Sequence, residues 1–225
     1  MTELQIIVGN KRYSSWSLRG WLAAIHTGLN VDEVNIDLYT ATHADEIAQY
    51  SPVKLVPILK HGPATIWDSA AIIDYCAHIA PEKYWWPTDI EAYAFARSIF
   101  NEMHSGFTEM RTHMPMNVAG KWSDLTLSEA LQREITRAET IWTECREQYG
   151  QGGEFLFGSF SAADMMYAPL ASRMETYGIK LNETATVYVQ SIMNYPPIAK
   201  WVQAGLQETA RISAAEIESE ATFLG

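Results

Sequence analysis

The sequence predicts two units, a small α/β domain followed by a larger all-helical one. Three observations carry this reading. Over residues 1–80, short apolar or alternating runs of strand length interleave with segments of helical period. The stretch PEKYWWPTD, residues 81–89, carries two prolines and divides two textures of chain. Beyond it, long segments of helical period follow one another with no strand pattern. The expected bounds are an N-terminal domain of residues 1–80, a linker of 81–90 and a helical domain of 91–225.

Residues 4–8 form a short apolar strand, and 16–27 a helix that closes at Gly28, a suitable C-terminal cap. Val34, Ile36 and Leu38 alternate with polar residues, the pattern of a half-buried strand. A short helix over 43–50 ends at Ser51-Pro52, because the residue before a proline avoids the helical region. Residues 56–60 and 65–67 flank His61-Gly62-Pro63 as a hairpin, and 69–80 is a helix stopped by Pro81. Helical stretches are then expected over 91–113, 126–149, 161–177 and 197–209, the last opened by Pro197. In the second, Leu131, Ile135, Ala138, Trp142, Cys145 and Tyr149 share one face. The last dozen residues, AAEIESEATFLG, read as a mobile tail.

Bulk properties exclude several classes of function. Hydrophobic residues make up 48% and charged ones 19%, a globular balance. A net charge of −11 opposes nucleic-acid binding. No run approaches the roughly 20 apolar residues of a membrane span, and MTELQIIVGN lacks the basic start of a signal peptide. Cys76 and Cys145 lie apart within helical patterns, as small hydrophobes of a reducing compartment. A soluble cytoplasmic protein is expected. His104 and His113 stand nine apart with no second pair, so no metal site is expected.

Three stretches can carry chemistry. In KRYSSWSLRGWL, residues 11–22, Ser14 and Ser15 stand where a strand gives way to a helix. They are either caps or donors to an anion held at the helix start. With no adjacent acid or histidine to act as base, they read as donors rather than nucleophiles. In SPVKLVPIL, residues 51–59, Val56-Pro57 opens a strand at a position that tolerates a missing donor. In IWDSAAI, residues 66–72, Asp68 and Ser69 cap a helix or form a second anion-ready start.

The order of these motifs resembles the glutathione transferases over essentially the whole chain. Ser14-Ser15-Trp16-Ser17-Leu18-Arg19 is similar to the Ser-Ser-x-x-x-Arg motif of serine-type members, most of all the zeta class and related bacterial enzymes. GSFSAAD, residues 158–164, resembles the family's Gly-x-x-Ser/Thr-x-x-Asp box, in which Ser161 and Asp164 cap a core helix reciprocally. The resemblance implies a thioredoxin-like N-terminal domain, an all-α C-terminal domain and glutathione as cosubstrate, with no metal. It implies Ser14, or Ser15 as second choice, donating to the glutathione sulfur. Val56 would offer its backbone to the cysteine unit beside a cis Pro57, and Asp68 and Ser69 would take the γ-glutamyl end. Lys54 is one place removed from the family's basic position before Val-Pro, which here is Leu55. Trp16 stands where zeta enzymes carry cysteine. An electrophile pocket is expected from Trp16, Met103, Phe107 and Arg111, the last three at four-residue spacing on one helix face. Arg111 suits a carboxylate-bearing substrate. The implied activity is thiolate attack on a small electrophile by a cytoplasmic homodimer, in the manner of detoxification enzymes. A glutathione-dependent cis–trans isomerase of the maleylacetoacetate type and a non-catalytic binding or regulatory protein are the alternatives.

Overall fold

The computed structural model describes residues 3–217 and 222–223. Its first 80 residues contain β1 (Leu4–Gly9), α1 (Ser15–His26), β2 (Val31–Ile36), α2 (His43–Ala48), β3 (Ile58–His61), β4 (Ala64–Trp67) and α3 (Ser69–Ile79). The sheet order is β2-β1-β3-β4. β1 and β2 run parallel across the α1 crossover, and β3 and β4 are added antiparallel. β1 is central and buried on both faces, so it reads as a nearly unbroken apolar run. Leu4, Ile6 and Val8 join the main core, whereas Ile7 packs with Ile36, Ile47 and Ile58 in a smaller cluster beside α2. β2 ends at Ile36, so Leu38 lies past the strand and packs against that smaller cluster instead.

The helical part comprises α4 (Ile90–Ser105), α5 (Thr108–His113), α6 (Glu129–Tyr149), α7 (Ala162–Thr176), α8 (Glu183–Asn194) and α9 (Pro196–Gln207). A two-stranded ribbon pairs β5 (Trp122–Ser123) with β6 (Thr222–Phe223). α7 is buried on nearly every side, as suits the centre of a bundle, and it packs on α1, α4 and α8. Its start is a capping box. Asp164 accepts from Ser161 N at 2.9 Å, Ser161 Oγ at 2.8 Å, Leu156 N at 3.1 Å and Tyr188 OH at 3.2 Å. Complete burial pushes the Asp164 carboxyl up to about 6 despite these donors, which favour the charged form. One apolar cluster runs from β1 and α1 through Trp85 of the connecting segment into the bundle, so the two parts share a core. Cys76 and Cys145 are both free and buried in it, and burial pushes both thiols up, Cys76 to about 12.

Three expectations need correction. The stretch 91–113 is two helices, because α4 stops at Gly106 and Phe107 takes a left-handed conformation with φ 58°. α8 had not been expected. Its Asn182 cap, accepting from Ala185 N at 2.9 Å, precedes a sequence rich in β-branched residues that weakens the helical signal. The tail is in part anchored. Ile217 packs on the core, and Thr222–Phe223 completes the ribbon. Residues 218–221 and 224–225 of the predicted tail lie outside the described residues.

Candidate active site

β1 leads through a turn, in which Asn10 O accepts from Tyr13 N and Ser14 N, to the start of α1. Ser14 is the cap residue. Its Oγ accepts from Ser17 N at 3.3 Å and donates to Ser17 Oγ at 2.7 Å, and Ser17 Oγ in turn accepts from Gly9 N at 3.0 Å. The hydroxyl protons of the serine pair can exchange direction. With Ser17 donating, the proton of Ser14 turns free. Ser15 begins the helix, and among the described residues its hydroxyl has no hydrogen-bond partner. Both are nearly buried, 8% and 7% exposed, and both line a cleft of about 310 Å³ with Trp16, Lys54 and Val56.

The opposite wall comes from the segment entering β3. The Val56–Pro57 bond is cis, and among the described residues neither the N–H nor the C=O of Val56 has a partner. α1 lies so close to this bond that a Cβ at Gly20 would sit 2.8 Å from Pro57 Cγ, so glycine sets the distance between the two walls. Lys54 has φ 56°, with its Nζ 3.8 Å from Asp45, and Leu55 is exposed.

Asp68, at φ 72°, caps α3 by accepting from Ala70 N at 2.8 Å and Ala71 N at 3.3 Å. Its other oxygen meets His104 Nε2 of α4 at 3.0 Å. A non-glycine residue in this backbone region is strained, and such strain gathers at functional positions. The Oγ of Ser69 is buried with no partner. Register brings these stretches together: Ile58 pairs with both Ile7 and Trp67, so the end of β1, the start of β3 and the end of β4 lie at one end of the sheet.

The expected electrophile residues are not one surface. The break after α4 removes the common helix face, Met103 is 0% exposed within the core, and Phe107 is buried against Tyr167. Arg111 closes the end of α4, donating to Gly106 O at 2.9 Å, Met103 O at 2.5 Å and His104 O at 3.3 Å. It makes no ion pair with Glu82 or Glu102, and Glu102 instead pairs with Arg137. Burial lowers the Arg111 pKa. Its guanidinium lies over the Trp16 ring, 4.6 Å from the centroid, and Trp16 is 36% exposed. Sequence reasoning missed Tyr39, His43 and Ala215, which line the cleft together with Tyr13. Ala215 is brought there by the C-terminal segment, for which the sequence has no local signal. Among the described residues, no group of three or more His, Cys, Asp or Glu side chains could hold a metal, and no helix is long and apolar enough to cross a membrane.

A mixed four-stranded sheet with its helices, joined to a helical bundle and carrying a cleft at the sheet's end, is the fold of the glutathione transferases. The family model "Glutathione S-transferase, N-terminal domain" matches residues 13–79, and "Glutathione S-transferase, C-terminal domain" matches residues 128–204. The chain belongs to the glutathione S-transferase family. It is 25% identical over 177 residues to a maleylacetoacetate isomerase of Rattus norvegicus, spanning 77% of this chain and 79% of that one. It is 26% identical over 177 residues to glutathione S-transferase 1 of Dianthus caryophyllus, spanning 75% and 76%. A glutathione transferase homolog from Burkholderia, solved with bound glutathione, shares the fold at a TM-score of 0.67 and 18% identity, covering 91% of this chain and 98% of that one.

Proposed function

We propose that this protein binds glutathione across the end of its sheet and uses a serine hydroxyl to hold the sulfur as a thiolate. The thiolate then attacks a small electrophile. One observation carries the reading: partner-free polar groups stand at the start of α1, before β3 and at the start of α3, all at the same end of the sheet. Unpaired polar groups at nearly buried positions cost stability unless a ligand completes them. An extended tripeptide does so. The Ser69 hydroxyl and the first turn of α3 receive its γ-glutamyl carboxylate, and Asp68 its ammonium. Val56 pairs with its cysteine unit in the manner of an added strand, and Lys54 faces its glycine carboxylate.

Ser14 is the first choice as sulfur donor. Its oxygen already accepts from Ser17, and once Ser17 also donates its hydroxyl proton, the chain from Gly9 N–H through Ser17 to Ser14 polarises the last O–H toward an anion. Ser15, with no internal partner, is the second donor. The attacking electron pair belongs to the thiolate sulfur, and a leaving group or conjugated acceptor receives the displaced electrons, so no protein nucleophile is needed.

Retention on immobilised glutathione, followed by turnover with a panel of electrophiles, tests this. Retention without turnover of any electrophile would favour a binding role. The rat relative favours a second reading, isomerisation of an unsaturated diacid through the same thiolate. Glutathione recovered unconsumed after substrate turnover would identify it. We further propose a homodimer, as is typical of the family.

A further inference from the structure

Three buried or half-buried arginines meet where α1 packs on the bundle, and none has a carboxylate partner. Arg19 of α1 is 0% exposed. Its Nε donates to Met166 O at 3.0 Å, and its Nη1 and Nη2 are buried with no hydrogen-bond partner. Arg111 donates only to the main-chain carbonyls that end α4. Arg173 donates to Met114 O at 2.6 Å and Pro169 O at 3.0 Å, again main chain. Among the described residues, none of the three stands in a salt bridge, in a sequence with 27 acidic residues. Burial and the neighbouring Arg111 and Arg173 charges push the Arg19 guanidinium well below the ordinary arginine range.

A buried guanidinium without an anion is costly, and an apolar side chain of similar volume fills such a place better. Asp68 acts on Arg19 and Glu134 on Arg111 only from beyond ion-pair distance, so the fork of Arg19, next to a ligand cleft, stands open to an anion from outside. The fork of Nη1 and Nη2 matches the two oxygens of a carboxylate. The cover over it is Trp16, whose ring lies 4.7 Å from the Arg19 guanidinium carbon and 4.6 Å from that of Arg111, with His104 against its edge at 5.5 Å. The indole N–H has no hydrogen-bond partner among the described residues. Trp16 also lines the cleft beside Ser14 and Ser15.

We propose that the unpartnered edge of Arg19, together with Arg111, is a carboxylate subsite for the acceptor, a flat unsaturated or aromatic acid whose body lies on Trp16. The indole swings off Arg19 as the carboxylate enters, and the flat body is then held next to the serine hydroxyls. This deepens the transferase reading and rests on it for the role of the acid as acceptor. The competing account makes the two guanidiniums a purely structural clamp on the indole.

The test titrates the full chain, without glutathione, with cinnamate and with cinnamamide, which has the same flat body and no charge. Calorimetry gives affinities, and melting temperatures are recorded alongside. The wild type is expected to bind cinnamate at least about tenfold more tightly than cinnamamide. Arg19→Met is expected to lose that preference while melting at or above the wild-type temperature. Equal affinity of the wild type for both compounds, or a preference retained in Arg19→Met, overturns the subsite. So does a lower melting temperature with both affinities reduced alike, the signature of the clamp. Should Arg19→Met fail to fold, Arg19→Lys decides: it keeps the charge without the fork, so a lost preference supports the subsite and a preserved one overturns it. Glutathione affinity measured on the same preparations separates the two ideas. Its absence strikes the transferase reading and leaves the cinnamate result standing.

Discussion

Replacing Ser14 with alanine removes two things at once, and the structure separates them. The helix loses its cap, the 3.3 Å bond from Ser17 N. That costs about 1 kcal/mol, or roughly 2–4 °C in melting temperature for a chain of this size. The bound thiol loses a donor to a charged acceptor, about 1.5–3 kcal/mol. At about 1.36 kcal/mol per unit, the thiol pKa then rises by roughly one to two units. The full drop from about 8.5 to about 6.5 needs roughly 2.7 kcal/mol, so one such bond supplies most of it. Ultraviolet titration of the thiolate in the binary complex measures the shift. Turnover at a pH below both pKa values should fall about ten- to a hundredfold, and the deficit should shrink as pH rises. Ser15→Ala is the control for the cap, because the Ser15 hydroxyl has no hydrogen-bond partner among the described residues. It should leave stability unchanged. An unchanged thiol pKa in Ser14→Ala with a raised one in Ser15→Ala moves the role to Ser15. An unchanged pKa in both variants refutes activation by serine.

Tyr13 OH donates to Glu216 at 2.5 Å, and burial with that carboxylate pushes the phenol pKa up. Tyr13→Phe should cost about 1 kcal/mol and speed amide exchange over residues 208–217; unaltered exchange there would show that the segment is held by other means. Asp164 has a folded pKa of about 6 against an ordinary 3.8, so the native chain binds more protons between those values and this group makes stability fall as pH rises through that window. Asp164→Asn should therefore flatten the stability curve between pH 4 and 6 relative to wild type, and parallel curves would contradict the assignment. Sedimentation should show a species of twice the 25.3 kDa chain mass, and a 25.3 kDa species at micromolar concentration would exclude the dimer.

Local signals in the sequence reach the sheet and the polar ends of its helices. Ser14, Asp68 and Ser161 all announce helix starts, and all three sit at them, because a cap needs only its own next three residues. The split between α4 and α5 was legible in part. Gly106 is a stop signal, yet Phe107 in a left-handed conformation is a choice that only packing against Tyr167 and the core explains. Arg111 shows the limit of spacing arguments. Four-residue spacing from Met103 predicted a shared face, but its guanidinium turns back to cap carbonyls of the preceding helix. Arg19 was in view as part of a motif, and its solitude was not, because the absence of a partner is a property of three dimensions. Ala215 reaches the cleft, and Glu216 reaches Tyr13 beside it, from nearly the other end of the chain, a distance no local pattern spans.

That last arrangement bears on how the protein is made. The Glu208 carboxylate accepts from Lys11 N at 2.6 Å and Arg12 N at 3.1 Å, Trp201 Nε1 donates to Lys11 O at 2.8 Å, and Tyr13 closes on Glu216. These bonds join residues separated by roughly two hundred positions, and they fix the loop that delivers Ser14 to its helix. While the chain emerges from the ribosome, the N-terminal sheet can assemble long before those partners exist. The serine loop therefore spends most of synthesis without its final restraints and acquires them only as the last stretch of chain is released. A nascent or prematurely terminated product that ends before residue 201 carries the thioredoxin-like sheet without the Trp201, Glu208 and Glu216 bonds to this loop.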